Sequence, residues 1–394
     1  MSRILTEGGQ DHVVLERDVI ASTWERQRWD SFTLLTPNWA TWLPRWHYTG
    51  DDPHGFMGRE EIVAYLRDYA ASFDAPVRPG CDVRRLEGAG GGGFVVRCDQ
   101  GDLAARAVVI ATGPFQRPRV PDWAKDLPGD IAQVHSSDYR SPARLPDGGV
   151  LVVGSGPSGQ QIAEDLLRAG RAVHLAVGRH RRVPRRYRGR DYYWWLELGG
   201  FYEKTSQDVP PAARRGGGVA PALTGFGGGH DLDLRGLHRD GATLLGRALS
   251  ARGALVSFDD SLASSLAEGD HGYTDFTTWV DDRLYRFDGM FDAPEPREAW
   301  PDPPPAPASI DLHRLGIGTV VWATGFRSGL GEWVEVPILD DDGQVRHDRG
   351  VTPVPGLYVV GQTWLHRLRS PFIRGAEEDV THIGRHLADH LARD

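Results

Sequence analysis

Residues 149–159 read Gly-Val-Leu-Val-Val-Gly-Ser-Gly-Pro-Ser-Gly, so the motif Gly154-x-Gly156-x-x-Gly159 follows four apolar residues directly. An amphipathic pattern continues to Leu167, and the glycines therefore join a predicted buried strand to a predicted helix. The first glycine allows a tight turn, the second lets a diphosphate approach the backbone, and the third lets helix and strand pack closely. Since a helix N-terminus attracts phosphates, the stretch predicts the start of a dinucleotide-binding βαβ unit.

The next predicted strand, residues 173–177, ends in Gly178-Arg179 rather than in an acidic residue. A carboxylate at this point accepts a ribose 2′-hydroxyl, whereas an arginine suits a 2′-phosphate, so the pattern favours NADPH over NADH. Residues 179–190 contain seven arginines. We expect Arg179 to bind the cofactor, with Arg181 or Arg182 assisting and the others solvated or structural. The net charge of −9 disfavours the alternative that this run binds nucleic acid.

The N-terminus repeats part of this unit, because residues 4–17 align with residues 166–179 when the numbering is shifted by 162 (178 − 16). Both segments read as a helix end followed by a buried strand, which is the second half of a βαβ unit. The first copy ends in Glu16 where the second has Gly178, and a carboxylate suits the unphosphorylated ribose of FAD or NAD. The glycine loop of the first copy would lie upstream of Met1.

Two later segments are near-copies of each other: Ala107-Val-Val-Ile-Ala-Thr-Gly113 and Thr319-Val-Val-Trp-Ala-Thr-Gly325. Each predicts a buried strand that ends in a glycine turn, and residues 356–361 predict another such strand. Periodicity predicts helices over residues 59–73 and 233–251, and a C-terminal helix with Val380, Ile383, Leu387 and Leu391 on one face.

Glycines at position 88 and at 90–93 separate two predicted strands, residues 81–86 and 94–98. A phosphate-binding glycine loop leads from a strand into a helix, so this run is expected to be a hairpin tip. Residues 205–230 are rich in Gly and Pro and predict a mobile loop or lid. The aromatic cluster at 192–195 indicates either an apolar substrate or ordinary core.

The bulk composition limits the classes of function. The chain has 394 residues, 40% hydrophobic and 25% charged, and no apolar run or leader pattern predicts a membrane span or secretion; the cytoplasm is the expected location. Its two cysteines, Cys81 and Cys98, form neither a disulfide framework nor the Cys-x-x-Cys pair of a disulfide reductase. No Cys/His spacing predicts a metal site.

These motifs resemble those of the flavin-containing monooxygenase family, and within it the bacterial flavoproteins labelled as related to cation-efflux or potassium-transport proteins. The likeness covers nearly the whole chain and is carried by residues 29–39, 111–113, 154–159, 323–326 and 364–375. It implies an α/β fold of two Rossmann-like, doubly wound domains, with the NADPH domain inserted into the FAD domain. The implied bounds are 1–113 and 323–394 for the FAD domain and 114–322 for the NADPH domain, with a lid-like insertion at about 205–230.

The resemblance also implies which residues form the sites. Catalytic roles fall to Asn38, near the flavin ring, and to His135, which is either structural between the domains or positions the nicotinamide. NADPH would be held by Gly154, Ser155, Gly156, Ser158, Gly159, Arg179 and Arg181. FAD would be held by Glu16, Arg17, Trp24, Trp29, Leu35, Thr36, Val83, Thr112, Gly113, Gly361 and Gln362.

The activity implied is that of a monooxygenase: NADPH reduces FAD, O₂ adds to form a C4a-(hydro)peroxide, and oxygen passes to a nitrogen, a sulfur or a ketone of a small organic substrate. No nucleic acid or membrane partner is expected, and a homodimer is possible. Two departures are that the family's His-containing fingerprint survives only as His135-x-x-x-Tyr139, and that the first glycine loop is absent. We expect that the true start lies upstream, in preference to a degenerate relative with weakened flavin binding.

Two rival functions stay open at this point. One is an NADPH-dependent flavin reductase or oxidase of the same fold, and the other is a flavin-free module that binds NADPH alone.

Overall fold

The computed structural model describes residues 1–209, 220–284, 290–296 and 301–393. The helices in these ranges are α1 (Ser2–Glu7), α2 (Ser22–Arg26), α3 (Arg59–Ala71), α4 (Pro157–Arg168), α5 (Tyr192–Leu198), α6 (Leu234–Arg239), α7 (Leu262–Leu284) and α8 (Ala376–Leu391).

The strands, many of them short, are given in chain order in two groups. The first comprises β1 (Val14–Leu15), β2 (Trp42–Leu43), β3 (Trp46–His47), β4 (Val77–Arg78), β5 (Val83–Gly88), β6 (Phe94–Cys98), β7 (Leu103–Ala105), β8 (Val108–Ile110), β9 (Arg117–Pro118), β10 (Ala132–His135), β11 (Gly149–Val153) and β12 (Val173–Ala176). The second comprises β13 (Arg181–Arg182), β14 (Arg186–Tyr187), β15 (Arg190–Asp191), β16 (Pro221–Thr224), β17 (His230–Asp231), β18 (Thr243–Leu245), β19 (Ala248–Arg252), β20 (Leu255–Phe258), β21 (Ser309–Asp311), β22 (Ile317–Trp322), β23 (Phe326–Arg327) and β24 (Leu357–Val359).

The central domain, elements β10 to β22, is built on a five-stranded parallel sheet in the order β10-β22-β11-β12-β18. Strand β11 is the apolar run ahead of the glycine motif, and it lies in the middle with every residue buried. Helix α4 packs its apolar face on the sheet through Ile162 and Leu166, both fully buried among the strand side chains. The glycine motif is therefore at the carboxyl edge of a parallel sheet, where such folds bind their ligands.

The outer domain is formed by elements β1 to β8 with β24 and α8. It contains the same strand arrangement without a counterpart of the central strand β11. Here β1 pairs in parallel with β4, and β8 pairs in parallel with β24. By internal comparison, β1 and β4 correspond to β12 and β18, while β8 and β24 correspond to β22 and β10. Among the described residues no strand of the outer domain occupies the place that β11 holds between β12 and β22.

Burial of the twin strands reflects this difference. Val320 and Val321 in β22 are fully buried, whereas their counterparts Val108 and Val109 in β8 are only half-buried. A core beside them still forms where α1 and α8 pack on β24 through Leu5, Val380, Ile383 and Leu387. The fold is thus the predicted α/β pair of Rossmann-like domains, with a two-piece sheet in the outer domain.

Several local predictions are confirmed. Helices α1, α3 and α8 and strands β1, β11 and β24 lie within the predicted segments, and the glycine run at 88–93 is the tip of the antiparallel β5–β6 hairpin. No helix among the described residues is long and apolar enough to cross a membrane.

One local prediction is wrong, and another falls partly outside the described residues. The helix predicted over 233–251 ends at Arg239, because Gly241 adopts a φ of +113° and the chain then enters β18, which pairs with β12. The lid predicted at about 205–230 falls partly on residues 210–219, which lie outside the described residues. In the described part, β16 and β17 pair as a hairpin in which Leu223 is fully buried, and the lid as a whole stays a prediction.

A buried hydrogen-bond network joins the two domains. Asp165 on α4 accepts from the Tyr139 hydroxyl at 2.6 Å and from the Ser31 hydroxyl at 2.8 Å. Tyr139 follows β10 and is fully buried, while Ser31 belongs to the outer domain. Burial and the neighbouring carboxylate of Asp165 both raise the pKa of Tyr139, so its hydroxyl stays protonated and donates. The His135-x-x-x-Tyr139 spacing in the sequence thus ends on a structural residue.

Tyr139→Phe is expected to lower the free energy of unfolding by about 1.5 to 3 kcal/mol, because it leaves a buried carboxylate oxygen without its donor. Tyr65→Phe is the matched control, since the Tyr65 hydroxyl donates to the neutral carbonyl of Trp46 at 2.8 Å. That loss should be only about 1 kcal/mol. Urea unfolding of both variants measures the difference, and an equal or smaller loss in Tyr139→Phe would contradict this account.

Candidate functional site

The glycine motif has the geometry that a dinucleotide site requires. Gly154 has a φ of +109°, and a Cβ there would lie 2.5 Å from the carbonyl oxygen of Ala323. A Cβ on Gly159 would lie 1.9 Å from the carbonyl oxygen of Gly154, which explains why helix and strand can approach only if this residue is glycine. Gly156, by contrast, has open space where a Cβ would be, at the N-cap of α4. A diphosphate would fit in that space against backbone N–H groups, so the predicted role of Gly156 is compatible with the geometry.

Ser155 serves the loop through its side chain, and its predicted role in cofactor binding stays a prediction. Its buried hydroxyl donates to the carbonyl oxygen of Gly178 at 3.1 Å and accepts from the Gly178 amide at 3.0 Å. This pair fixes the end of β12 against the glycine loop. Arg179, the next residue, is exposed beside the loop, as an arginine that binds a 2′-phosphate must be.

The other arginines of residues 179–190 differ in whether their side chains are already paired with other residues of the protein. Arg182 is buried and pairs with Asp233 at 2.8 Å and with Asp270 at 3.1 Å, so it cannot assist at the phosphate and is structural. Arg181 is half-buried in β13, and its cofactor role stays a prediction. Arg185 is buried against Asp191 and donates to the carbonyl oxygen of Leu35 at 2.7 Å.

A cavity of about 390 Å³ lies where the two domains meet. A volume of this size is typical of small-molecule sites. It brings together four of the predicted flavin residues, Trp24, Trp29, Leu35 and Thr36, with Ser158 of the glycine loop. Tyr193 also lines it, although the rest of the aromatic cluster at 192–195 packs mainly in a core with Val183 and Phe276.

Except for Val83, the remaining predicted FAD residues lie at the carboxyl ends of strands of the outer domain. Glu16 follows β1, is half-buried, and accepts from the Asp18 amide at 3.0 Å through one carboxylate oxygen. Arg17 beside it is exposed, and Val83 begins β5. Thr112 and Gly113 follow β8, and Gly361 and Gln362 follow β24.

Parts of this edge fit an FAD molecule. Gly113 and Gly361 have φ values of +68° and +73° and leave open space where a Cβ would be. The side-chain nitrogen of Gln362 is buried and has no hydrogen-bond partner in the described part of the chain. It could therefore donate a hydrogen bond to a bound ligand. Glu16 suits the ribose hydroxyls. The diphosphate position is less complete, since the described residues of this domain contain no counterpart of residues 154–159.

Asn38 has a structural environment. Its amide donates to the carbonyl oxygen of Asp52 at 2.9 Å and accepts from the Met57 amide at 2.9 Å, and the side chain is 4% exposed. Both polar atoms thus hold the loop at 52–57, and Asn38 is outside the cavity lining. Its catalytic role stays a prediction that this geometry does not favour.

His135 is also buried, behind the cavity wall. Its ring hydrogen-bonds to the Ser137 hydroxyl at 2.9 Å and to the carbonyl oxygen of Gly325 at 3.1 Å, and burial lowers its pKa. The imidazole meets the ring of Phe326, a residue that lines the cavity, at 4.8 Å between centroids. Of the two alternatives left open, this geometry favours the structural one, with His135 positioning Phe326 and the Gly325 turn.

The sequence analysis did not predict some of the residues that line the cavity. Ser136, Ser137 and Phe326 line the cavity, as do three arginines, Arg28, Arg369 and Arg374. Two of these arginines lie in residues 364–375, a segment that carries the family resemblance, and this was the sequence signal that could have pointed to them. Nothing in the pattern around Arg28 distinguishes it from the exposed arginines nearby.

Comparisons with known proteins agree with the fold. A family model described as pyridine nucleotide-disulphide oxidoreductase matches residues 4–196. An "uncharacterized oxidoreductase CzcO-like" from Geobacillus kaustophilus is 30% identical over 393 residues, covering 96% of this chain and 91% of the relative. Indole-3-pyruvate monooxygenase YUCCA1 of Oryza sativa subsp. japonica is 35% identical over 176 residues, which is 44% of this chain and 43% of that protein.

Among solved structures, a flavin-containing monooxygenase from Stenotrophomonas maltophilia superposes with a TM-score of 0.66 at 18% identity, covering 99% of this chain and 94% of that one. This likeness shows the fold, and the full-length CzcO-like relative shows the family. The chain therefore belongs to the CzcO-like oxidoreductases, and it has the fold of the flavin-containing monooxygenases.

Proposed function

We propose that this protein is an FAD- and NADPH-dependent monooxygenase that places one oxygen atom from O₂ on a nitrogen, a sulfur or a ketone of a small organic substrate. The observation that carries the proposal is the cavity between the domains, because predicted flavin residues and the glycine loop line the same space. A nicotinamide held at Ser158 and a flavin ring held at Trp24, Leu35 and Thr36 would be close enough to react there.

The overall reaction balances as substrate, O₂, NADPH and a proton giving oxygenated substrate, NADP⁺ and water. Bound FAD would supply the oxygen-activating chemistry. The chain's own residues then have to bind and orient the reactants and exclude water. Trp29, which is 4% exposed, and Phe32, in edge-to-face contact with it at 5.2 Å, form an apolar wall suited to this.

The relatives support the reaction class. The rice relative is named as a monooxygenase of indole-3-pyruvate, and the bacterial superposed structure is named as a flavin-containing monooxygenase.

The test measures, in one experiment, where the oxygen atoms of O₂ and the electrons of NADPH go. Purified protein is given FAD, NADPH and ¹⁸O₂ with a panel of one amine, one sulfide and one ketone, and product mass, NADPH loss and hydrogen peroxide are measured. We expect one ¹⁸O atom in a product and NADPH loss in near-equal amount. NADPH loss that yields only hydrogen peroxide would replace this proposal with an NADPH oxidase.

A flavin-free NADPH module is the second candidate, and the two-piece sheet of the outer domain is the observation that favours it. The same preparation decides between the two. Protein that binds NADPH but stays colourless near ~450 nm after incubation with FAD and gel filtration would establish the module and exclude the oxygenase.

A further inference from the structure

The two cysteines of the chain lie side by side at the base of the β5–β6 hairpin. Val83 in β5 is opposite Cys98 in β6, and Cys81, two residues before Val83, faces the same side and is diagonal to Cys98. The pairing continues past β5, because the Asp82 amide donates to the Asp99 carboxylate at 3.0 Å and the Asp99 amide donates to the Asp82 carbonyl oxygen at 3.3 Å. The two thiols are therefore neighbours although they are far apart in the sequence.

Side-chain contacts hold the two cysteines together. The Gln100 amide donates to the Gly80 carbonyl oxygen at 2.8 Å, so the chain ahead of Cys81 stays against the chain after Cys98. The Cys98 thiol donates to the Gly101 carbonyl oxygen at 2.8 Å, and its sulfur lone pairs can accept. Burial, and then a hydrogen bond with the Cys98 thiol, raise the pKa of the Cys81 thiol to about 11. In the reduced protein Cys81 thus keeps its proton and donates to the Cys98 sulfur.

The two thiols differ in their exposure to solvent. Cys81 is 1% exposed, whereas Cys98 is only half-buried. Cys98 is therefore the sulfur that a dissolved oxidant reaches first, and Cys81 is placed to react with the oxidised product. An accessible thiol beside a second thiol is the arrangement found in redox-sensing cysteine pairs. Two cysteines make no disulfide framework, but a single reversible pair needs only this proximity.

Cys81 also holds the turn that carries Glu16. The Cys81 amide donates to the Glu16 carbonyl oxygen at 2.9 Å, and the Gly80 amide donates to the Asp18 carbonyl oxygen at 2.9 Å. The Glu16 amide in turn donates to the Arg78 carbonyl oxygen at 3.1 Å. Because Glu16 is the predicted ligand of the FAD ribose, the position of Cys81 affects that part of the cofactor site.

A bond between the two sulfurs would displace Cys81. The Cβ atoms of a disulfide lie about 3.5–4.5 Å apart, whereas residues diagonal across an antiparallel pair start at somewhat less than about 7–8 Å. The Cys81 backbone faces Glu16 on one side, and the next residue, Asp82, faces β6 on the other. Movement of Cys81 towards Cys98 therefore takes its amide away from the Glu16 carbonyl oxygen.

We propose that Cys81 and Cys98 are a peroxide-sensitive dithiol: oxidation joins them in a reversible disulfide, which draws Cys81 away from Glu16 and lowers the affinity for FAD. The inference rests on the proposed function only in its last step, where the Glu16 turn is taken to bind the FAD ribose. Formation of the disulfide and loosening of the turn concern the protein alone.

The oxidation balances in two steps, with hydrogen peroxide as the oxidant. The Cys98 thiolate attacks one peroxide oxygen, the O–O bond breaks, the departing hydroxide leaves as water with the thiol proton, and Cys98 becomes a sulfenic acid. The Cys81 sulfur then attacks the Cys98 sulfur, the S–O bond breaks, and the hydroxide leaves with the Cys81 proton as a second water. The two thiols lose two electrons in total, and the peroxide gains them. Two small-molecule thiols reverse the bond by exchange and leave as their own disulfide.

The first experiment treats the reduced protein with hydrogen peroxide and compares the native chain with Cys81→Ser and Cys98→Ser. Since the chain has two cysteines, thiol titration and peptide mapping identify the product directly. We expect the native chain to lose both thiols, to give a peptide linked through Cys81 and Cys98 within a monomer, and to recover both thiols in dithiothreitol. Cys81→Ser should stop at a Cys98 sulfenic acid that dimedone traps, whereas Cys98→Ser should keep its buried thiol. Thermal unfolding checks that each variant is folded.

The second experiment measures the effect on the Glu16 turn, by hydrogen exchange of residues 78–81 and by titration with FAD. In the oxidised native chain the exchange should be about 5-fold faster and the FAD affinity about 5-fold lower, the factor expected for one lost hydrogen bond. The double variant Cys81→Ser/Cys98→Ser, treated with peroxide in the same way, is the matched control for oxidation at methionine. It should change in neither measurement.

Three results would overturn the proposal: two thiols that persist in the peroxide-treated native chain, a disulfide that forms only between chains, or an internal disulfide that leaves hydrogen exchange at residues 78–81 and FAD affinity unchanged. Failure of the proposed function is distinguishable from these. An internal disulfide with faster exchange, in a protein that yields no oxygenated product, would leave the dithiol standing and remove the monooxygenase.

Discussion

Gly156→Ala should leave the protein folded and weaken NADPH binding by about 10-fold or more, because the new methyl group occupies the space that the diphosphate needs. The substitution is free of strain, since Gly156 has a φ of −67° and nothing lies within 4 Å of the added Cβ. Fluorescence titration with NADPH, alongside thermal unfolding, measures both effects. Unchanged NADPH affinity would remove this loop as the cofactor site.

Gly159→Ala is the matched comparison, three residues away in the same motif. Its Cβ would overlap the Gly154 carbonyl oxygen at 1.9 Å and approach the Ala323 side chain at 3.2 Å, so helix α4 has to move off the sheet. We expect a loss of about 1 to 3 kcal/mol of unfolding free energy, as overpacking in a core produces, together with lost NADPH binding. A native unfolding midpoint in this variant would show that the close approach is not needed.

Arg179→Ala is expected to weaken NADPH binding by about 10- to 100-fold and to leave NADH binding nearly unchanged. The removed group would make charge-assisted hydrogen bonds to a 2′-phosphate that NADH does not carry, and such bonds contribute about 1.5 to 3 kcal/mol each. Titration with both nucleotides gives the ratio. Arg186→Ala, an exposed arginine of the same run that donates to the Gly228 carbonyl oxygen, is the control and should change neither affinity. Equal losses for NADPH and NADH in Arg179→Ala would exclude the 2′-phosphate role.

The parts of the fold that the sequence predicts are those set by short-range patterns. The glycine motif, the twin strands that end in Ala-Thr-Gly and the C-terminal helix depend on periodicity and on glycine conformations, both readable from adjacent residues. The repeat between residues 4–17 and 166–179 predicts even the equivalence of β1 and β12. Where tertiary pairing decides, the pattern misleads: residues 243–245 have helical periodicity, but β12 offers them an open parallel edge.

The residues of the candidate site likewise divide into those that local sequence predicts and those that it does not. Glu16 and Arg179 stand at the ends of recognisable strands, so their roles can be predicted from position. Arg182 belongs to the same basic run, yet its partners Asp233 and Asp270 are 51 and 88 residues away, and no local pattern shows that it is buried. Arg28 also escapes prediction, because its place on the cavity wall depends on side chains distant in the sequence, such as Ile373 and Arg374.

The split outer sheet has a consequence for the behaviour of the protein in concentrated solution. Within the described part of the chain, strands β1 and β8 each pair on one side, with β4 and β24, and their other sides offer backbone N–H and C=O groups to any extended chain that approaches. Val13 and Val109 place apolar surface along those same edges, with Val13 42% exposed. Aggregation should therefore begin at these edges, through intermolecular β-pairing, and leave the five-stranded sheet intact.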